Sequence, residues 1–188
     1  MRILCIIDAQ YDFIDGTLGS PEAQAIVPKV VEKINNYENK GNVLVLFTKD
    51  THDTNYLDTL EGTILPIPHC IENTPGWSIN KEISKAVKDN KFLSYSSDKI
   101  INSRVYKNTF GSDELRKFFE KFKDDIEEVE FCGLVTDCCV ISNVLMCRTV
   151  LPDVEIYVDK NCCAGTNTYL HQAALDIMKS CQINIIGE

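Results

Sequence analysis

The sequence predicts a three-layer, doubly wound α/β fold of the Rossmann-like kind, a mainly parallel sheet with helices on both faces. Three observations lead there. Short segments at Ile3 to Ile7 and Val43 to Phe47 are apolar throughout, and Val129 to Leu134 is apolar but for Glu130, instead of alternating, as strands covered on both faces must be. Between them lie segments whose apolar residues return every three or four positions, the pattern of amphipathic helices that connect parallel strands. The 188 residues, 44% hydrophobic and 25% charged, contain no repeat, low-complexity tract or linker, so one domain over residues 1–188 is expected.

Taken in order, the first strand, Ile3 to Ile7, ends at Asp8 and a polar-aromatic loop, Ala9 to Phe13. Pro21 suits the first turn of a helix whose face is Ile26, Val27, Val30, Val31, Ile34 and Tyr37, with Gly41 as its stop. The second strand, Val43 to Phe47, ends at Thr48-Lys49-Asp50. The stretch from Thr51 to Gly76 has little periodicity, and long irregular connections inside a compact domain are usually functional. A helix is expected over Ser78 to Asn90, and strand and loop over Phe92 to Tyr106. Ser112 with Glu114-Leu115 begins another helix that buries Leu115, Phe118, Phe119 and Phe122. The strand Val129 to Leu134 then runs through a small turn into a helix with Cys138, Cys139, Val140, Val144 and Leu145, for which Thr136 or Asp137 is the N-cap. A strand at Val154 to Val158, a helix at Thr166 to Ser180 and a strand at Ile183 to Ile186 complete the chain.

A net charge of −9 argues against nucleic acid or an anionic membrane surface as partner and leaves a small-molecule substrate or another protein. Before Asp8 the N-terminal segment has too few apolar residues for a signal peptide or a membrane span, so a cytoplasmic location is expected. The nine cysteines are odd in number, include the adjacent pairs Cys138-Cys139 and Cys162-Cys163, and contain no CxxC. That is no disulfide framework, and Cys5, Cys132, Cys147 and Cys181 read as small core residues in a reducing compartment.

In open parallel sheets ligands bind outside the carboxyl ends of the strands, where Asp8, Asp50 and the Gly133 to Cys139 turn all fall. A cysteine in a helix's first turn faces unsatisfied N–H groups and the positive dipole end, which favour thiolate. Taken singly, Asp8 reads as a loop cap, Lys107 as a surface lysine and the cysteine pair as small core residues. Together, Asp8, Lys107 and Cys139 supply a proton acceptor, a cation and a nucleophile. Asp50, His52, Glu61 and His69 place two imidazoles and two carboxylates within twenty residues, a set that suits zinc, iron or manganese. The bland alternative is a polar loop with exposed histidines. His171 lies in a predicted helix and reads as structural.

Asp8-x-Gln10-x-Asp12-Phe13, Asp50-x-His52, Pro68-His69-Cys70, Tyr106-Lys107 and Gly133-x-x-Thr136-Asp137-x-Cys139-Val140 resemble, in order and over essentially the whole chain, the isochorismatase-like cysteine hydrolases and among them the nicotinamidases. The resemblance implies a triad of Asp8, Lys107 and Cys139, with Cys138 on a variable position. It implies a cis peptide between Leu134 and Val135, and an oxyanion hole made by the backbone N–H groups of Val135 and Cys139. It implies one divalent metal, zinc first among candidates, on Asp50, His52 and His69. The second histidine common after the DxH is absent here, so Glu61 is the expected fourth ligand, with Asp58 its rival. Phe13, Trp77 and Tyr106 would line the substrate pocket, and a homo-oligomer is expected. The implied activity is hydrolysis of nicotinamide to nicotinate and ammonia through a thioester, within NAD salvage. The alternatives are another small amide or ureido substrate on the same fold, and a non-catalytic oligomeric member.

Overall fold

The computed structural model describes residues 1–90, 92–97, 100–101 and 103–187. The strand and loop expected over 92–106 therefore run across residues 98, 99 and 102, which lie outside the described residues.

The apolar segments form β1 (Arg2–Ile7), β2 (Val43–Asp50) and β5 (Glu128–Leu134), joined in one sheet by β3 (Ile100–Ile101), β4 (Arg104–Lys107), β6 (Glu155–Ala164) and β7 (Asn184–Ile186). The order is β3-β4-β2-β1-β5-β6-β7, parallel except for β3 against β4. The expected doubly wound, mainly parallel sheet is thus present. Its helices are α1 (Tyr11–Ile14), α2 (Pro21–Tyr37), α3 (Leu60–Ile64), α4 (Lys81–Asp89), α5 (Asp113–Lys121), α6 (Ile141–Val150) and α7 (Thr168–Ser180). The long ones pack as two groups, α2 with α4 and α5 and α7 with α6, as right-handed crossovers require when the chain steps first to one side of β1 and then to the other. No described helix is long and apolar enough to cross a membrane.

Two strands run further than their apolar segments suggest. β2 continues through Thr48, Lys49 and Asp50, all buried, because β4 pairs with it there, Asp50 opposite Lys107. A strand that stays buried while turning polar has placed those polar groups for a purpose other than the core. β6 likewise continues past Val158 to Ala164, alongside a register shift in β5 between Phe131 and Gly133.

The strand order reverses between β1 and β5, which makes their carboxyl ends the switch point where such sheets bind ligands. Gly133 closes this junction. At φ 118° a Cβ there would lie 2.1 Å from the Ile7 carbonyl oxygen, so only glycine lets β5 abut β1 one residue before Asp8.

Beneath the sheet, Lys33 of α2 reaches two carboxylates, Glu130 of β5 and, at 2.6 Å, Asp159 of β6, while the Tyr37 hydroxyl also donates to Glu130. Glu130 is only 2% exposed, so Lys33 is its main charge compensation. Lys33→Met is expected to lower unfolding free energy by ~3–5 kcal/mol, the usual cost of stranding a buried charge. Urea denaturation reads this directly; a loss near zero would mean the carboxylates are compensated in another way.

Candidate active site

Asp8, the first residue past β1, is fully buried and has φ 44°, a left-handed conformation costly for a residue with a Cβ. Thr48 of the neighbouring strand holds it: the Asp8 N–H donates to Thr48 Oγ1 at 3.1 Å, and the Thr48 hydroxyl donates to Asp8 Oδ1 at 2.6 Å. Lys107, the last residue of β4, extends its ammonium across the end of β2. Its Nζ lies 2.7 Å from Asp8 Oδ2, 3.3 Å from Asp50 Oδ1 and 3.5 Å from Cys139 Sγ. An ammonium has three N–H donors, and here three acceptors surround it. The three residues singled out in sequence are therefore in contact, and Lys107 also joins them to Asp50.

Cys139 lies in a π-type turn, Thr136–Val140, that continues directly into α6, and the Leu134–Val135 peptide before the turn is cis, as expected. The expected cap is not formed. Val135 occupies the N-cap position, the Thr136 hydroxyl pairs with His171 Nδ1 at 2.8 Å, and Asp137 takes the N–H and hydroxyl of Thr166, each at 2.7 Å. Nor is the Cys139 thiol acidified by its helix start. Burial and the Asp8 carboxylate push its pKa well above the usual thiol value, and Lys107 pulls back only in part. These influences together favour the thiol over the thiolate.

Burial also raises the Asp8 pKa, against the opposing pull of Lys107. For Lys107 burial works against the charge, but Asp8, Cys139 and Asp50 outweigh it and hold the ammonium.

Asp50, His52 and His69 form a second, buried cluster whose donor atoms all lie within 4.8 Å of one another. Asp50 Oδ2 is 3.0 Å from His52 Nε2 and 3.5 Å from His69 Nε2. Glu61, in the first turn of α3, aims Oε1 at both imidazoles, 3.9 Å from His52 Nε2 and 3.7 Å from His69 Nε2. Asp58 is exposed on the preceding turn.

Several supports were not singled out as functional in sequence. Gln10 grips the backbone of Asp50 twice, donating to its carbonyl at 2.8 Å and accepting its N–H at 2.7 Å. Asp12 accepts the N–H of Cys70 at 2.7 Å and so holds the loop that carries His69. Tyr56 packs edge-on against both imidazoles, at 4.8 Å from His52 and 5.0 Å from His69 between ring centroids. Asn143, one turn after Cys139, donates to the Cys139 carbonyl at 2.8 Å and to that of Phe110 at 3.1 Å. Gln10 and Asp12 belong to the DxQxD spacing; Tyr56 and Asn143 carry no comparable signal.

A cavity of about 280 Å³ opens onto Cys139, Val135, Asp50, Glu61 and His69 together. Phe13 lines it and packs 5.5 Å from His69, centroid to centroid. Trp77 and Tyr106 do not line it. Tyr106 precedes Lys107 on a strand, so the two side chains face opposite ways. With Trp77 it cages the Lys49 ammonium, 3.0 Å from the Trp77 ring centroid and 5.5 Å from that of Tyr106.

Residues 2–187 match the family model described as the isochorismatase domain. The chain belongs to the isochorismatase family. Among solved structures, this isochorismatase-family chain is similar to the pyrazinamidase of Pyrococcus horikoshii in complex with zinc, at 26% identity over 100% of this chain and 99% of that one, TM-score 0.72. The nicotinamidase of Bacillus subtilis matches at 24% identity over 99% of each chain, TM-score 0.76. The pyrazinamidase/nicotinamidase of Streptococcus mutans matches at 22% identity over 99% of this chain and 100% of that one, TM-score 0.80. At these last two identities the likeness speaks for the fold. No curated protein matches the chain.

Proposed function

We propose that the protein is a metal-containing cysteine amidohydrolase that converts nicotinamide and water to nicotinate and ammonia, in the service of NAD salvage. The observation that carries the reading is the single cavity shared by the Cys139 thiol and the Asp50-His69 cluster, of a size for one small ring. Its described lining includes the carboxylates of Asp50 and Glu61 and no lysine or arginine, which favours an uncharged amide over a carboxylate-bearing substrate. The zinc-containing pyrazinamidase among the similar structures supports the same class.

In this reading Cys139 Sγ attacks the carboxamide carbon as its proton passes to Asp8, and Lys107 balances the charge on both. The backbone N–H groups of Val135 and Cys139 donate to the developing oxyanion. Asp8 returns the proton to the departing ammonia, leaving a thioester on Cys139. Water then gives a proton to Asp8, attacks the thioester carbon and releases the acid with the thiol restored.

The donor set fits a divalent metal. His69 Nδ1 lies 2.9 Å from the Ile67 carbonyl, and donating its proton there turns the Nε2 lone pair toward Asp50, as a ligating histidine needs. Asp50, His52 and His69 would hold the ion, with Glu61 as fourth group; zinc, iron or manganese there supplies a Lewis-acid position for a substrate heteroatom.

The deciding experiment incubates purified protein with nicotinamide and follows ammonia and the acid, with metal analysis of the same sample. Ammonia release with metal present is expected. Metal present but nicotinamide untouched would sink the substrate assignment, and turnover of another amide or ureido compound by metal-free protein would favour the alternative hydrolase. His52→Ala and His69→Ala are each expected to weaken metal binding ~10- to 100-fold or more and to raise KM, Glu61→Ala less so. Depletion of metal by Asp58→Ala but not by Glu61→Ala would overturn Glu61 as the fourth ligand.

A further inference from the structure

His171 is not used by the chemistry above, yet it touches the turn that carries it. Its Nδ1 lies 2.8 Å from Thr136 Oγ1, and Thr136 is fully buried, so the imidazole provides the partner that a buried hydroxyl requires. Thr136 opens the turn, between Val135 and Cys139, the two residues whose N–H groups face the oxyanion in the reading above. His171 is itself anchored in the first turn of α7, where its N–H donates to the Asn167 carbonyl at 2.9 Å and Asn167 caps the helix.

The segment joining β6 to α7 is fastened beside it. Asp137 takes both hydrogen bonds of Thr166, and Gly165 fills the space between: a Cβ there would lie 2.7 Å from Asp137 Oδ1 and 2.7 Å from His171 Cβ. Ala164, Gly165 and Thr166 form part of the wall of the catalytic cavity. His171 also lines, with Gly165 and Asn167, a separate cleft of about 250 Å³. Burial lowers its pKa, with Asp137 opposing, which keeps the ring neutral and able to pair with a hydroxyl.

We propose that His171 is a positioning residue: through Thr136 it sets where the Val135-to-Cys139 turn stands against Asp8 and Lys107. The proposal rests on Cys139 as the nucleophile, but not on the identity of the amide. It differs from a general structural role because it acts along one contact.

The test compares His171→Ala, His171→Asn, Thr136→Val and the double variant His171→Ala/Thr136→Val in the full chain with its metal. Two rates are read: ammonia release from nicotinamide, and alkylation of Cys139 by iodoacetamide followed by peptide mass. Loss of one aligning contact is expected to lower kcat about 10-fold in His171→Ala and in Thr136→Val, with KM within about twofold and metal content unchanged. The double variant should be no worse than either single one, since both remove the same interaction. His171→Asn, which places an amide near the Nδ1 position, should recover most of the rate. An unchanged kcat in His171→Ala, or losses that multiply in the double variant, overturns the proposal. If His171→Ala fails to fold, Thr136→Val against His171→Asn makes the same comparison. Should the wild type leave nicotinamide untouched, the substrate reading fails separately; the same non-additive pattern is then expected in Cys139 alkylation, and equal alkylation rates in all variants overturn the role of His171.

Discussion

Cys139→Ala is expected to abolish amide turnover, by at least ~10⁴-fold in kcat, whereas Cys138→Ala keeps it within about 10-fold of the wild type. Both thiols border the same cavity, so exposure to substrate does not separate them. What separates them is the company each keeps. Cys139 has the Lys107 ammonium 3.5 Å away and the Asp8 carboxylate among the main influences on its thiol, a base and a cation on one side. Cys138 is partly exposed, and after burial its strongest influence is Asp137, a carboxylate already occupied by both donors of Thr166. Burial raises the pKa of both thiols, so neither is predisposed to the thiolate. The one that reacts is the one with somewhere to send its proton. Ammonia release by the two variants, with circular dichroism as the check on folding, decides it; turnover surviving in Cys139→Ala and lost in Cys138→Ala would reverse the assignment.

The strand ends were legible because physics leaves few choices there. Segments apolar throughout must be covered on both faces, parallel strands must be joined by right-handed crossovers, and the resulting switch point brings Asp8, Asp50 and the Gly133 turn to one edge. The contact between Lys107 and Asp50 was not legible, since it depends on the β2–β4 register rather than on either strand alone. Trp77 and Tyr106 were misplaced for a reason visible in principle: Tyr106 neighbours Lys107 on a strand and has to face the other way. Tyr56 sits in the loop from Thr51 to Gly76, where no periodicity announces which side chain turns inward. The thiol of Cys139 was expected to be acidified by its helix start, but full burial beside a carboxylate outweighs a partial charge at a helix end.

Asp8→Asn is expected to lower kcat by at least ~100-fold, the lower end of what a positioned acid/base contributes, while folding, metal content and nicotinamide binding persist. The amide keeps the shape of the carboxyl and its contact with Thr48, but it cannot accept the thiol proton or return it to ammonia. The variant should fold well. Because burial raises the Asp8 pKa on folding, the ionised carboxylate works against the folded state above that pKa, and a neutral amide does not carry this cost. Lys107 loses one anion but keeps Asp50 at 3.3 Å. The same shift fixes the sign of the pH dependence. Asp8 must be ionised to take the proton, so wild-type kcat/KM should fall as pH drops through its folded pKa, which lies above the usual aspartate value because burial outweighs Lys107. In Asp8→Asn that acidic limb should vanish along with most of the rate. A variant with near-normal kcat and an unchanged acidic limb would make Asp8 a structural cap and send the proton elsewhere.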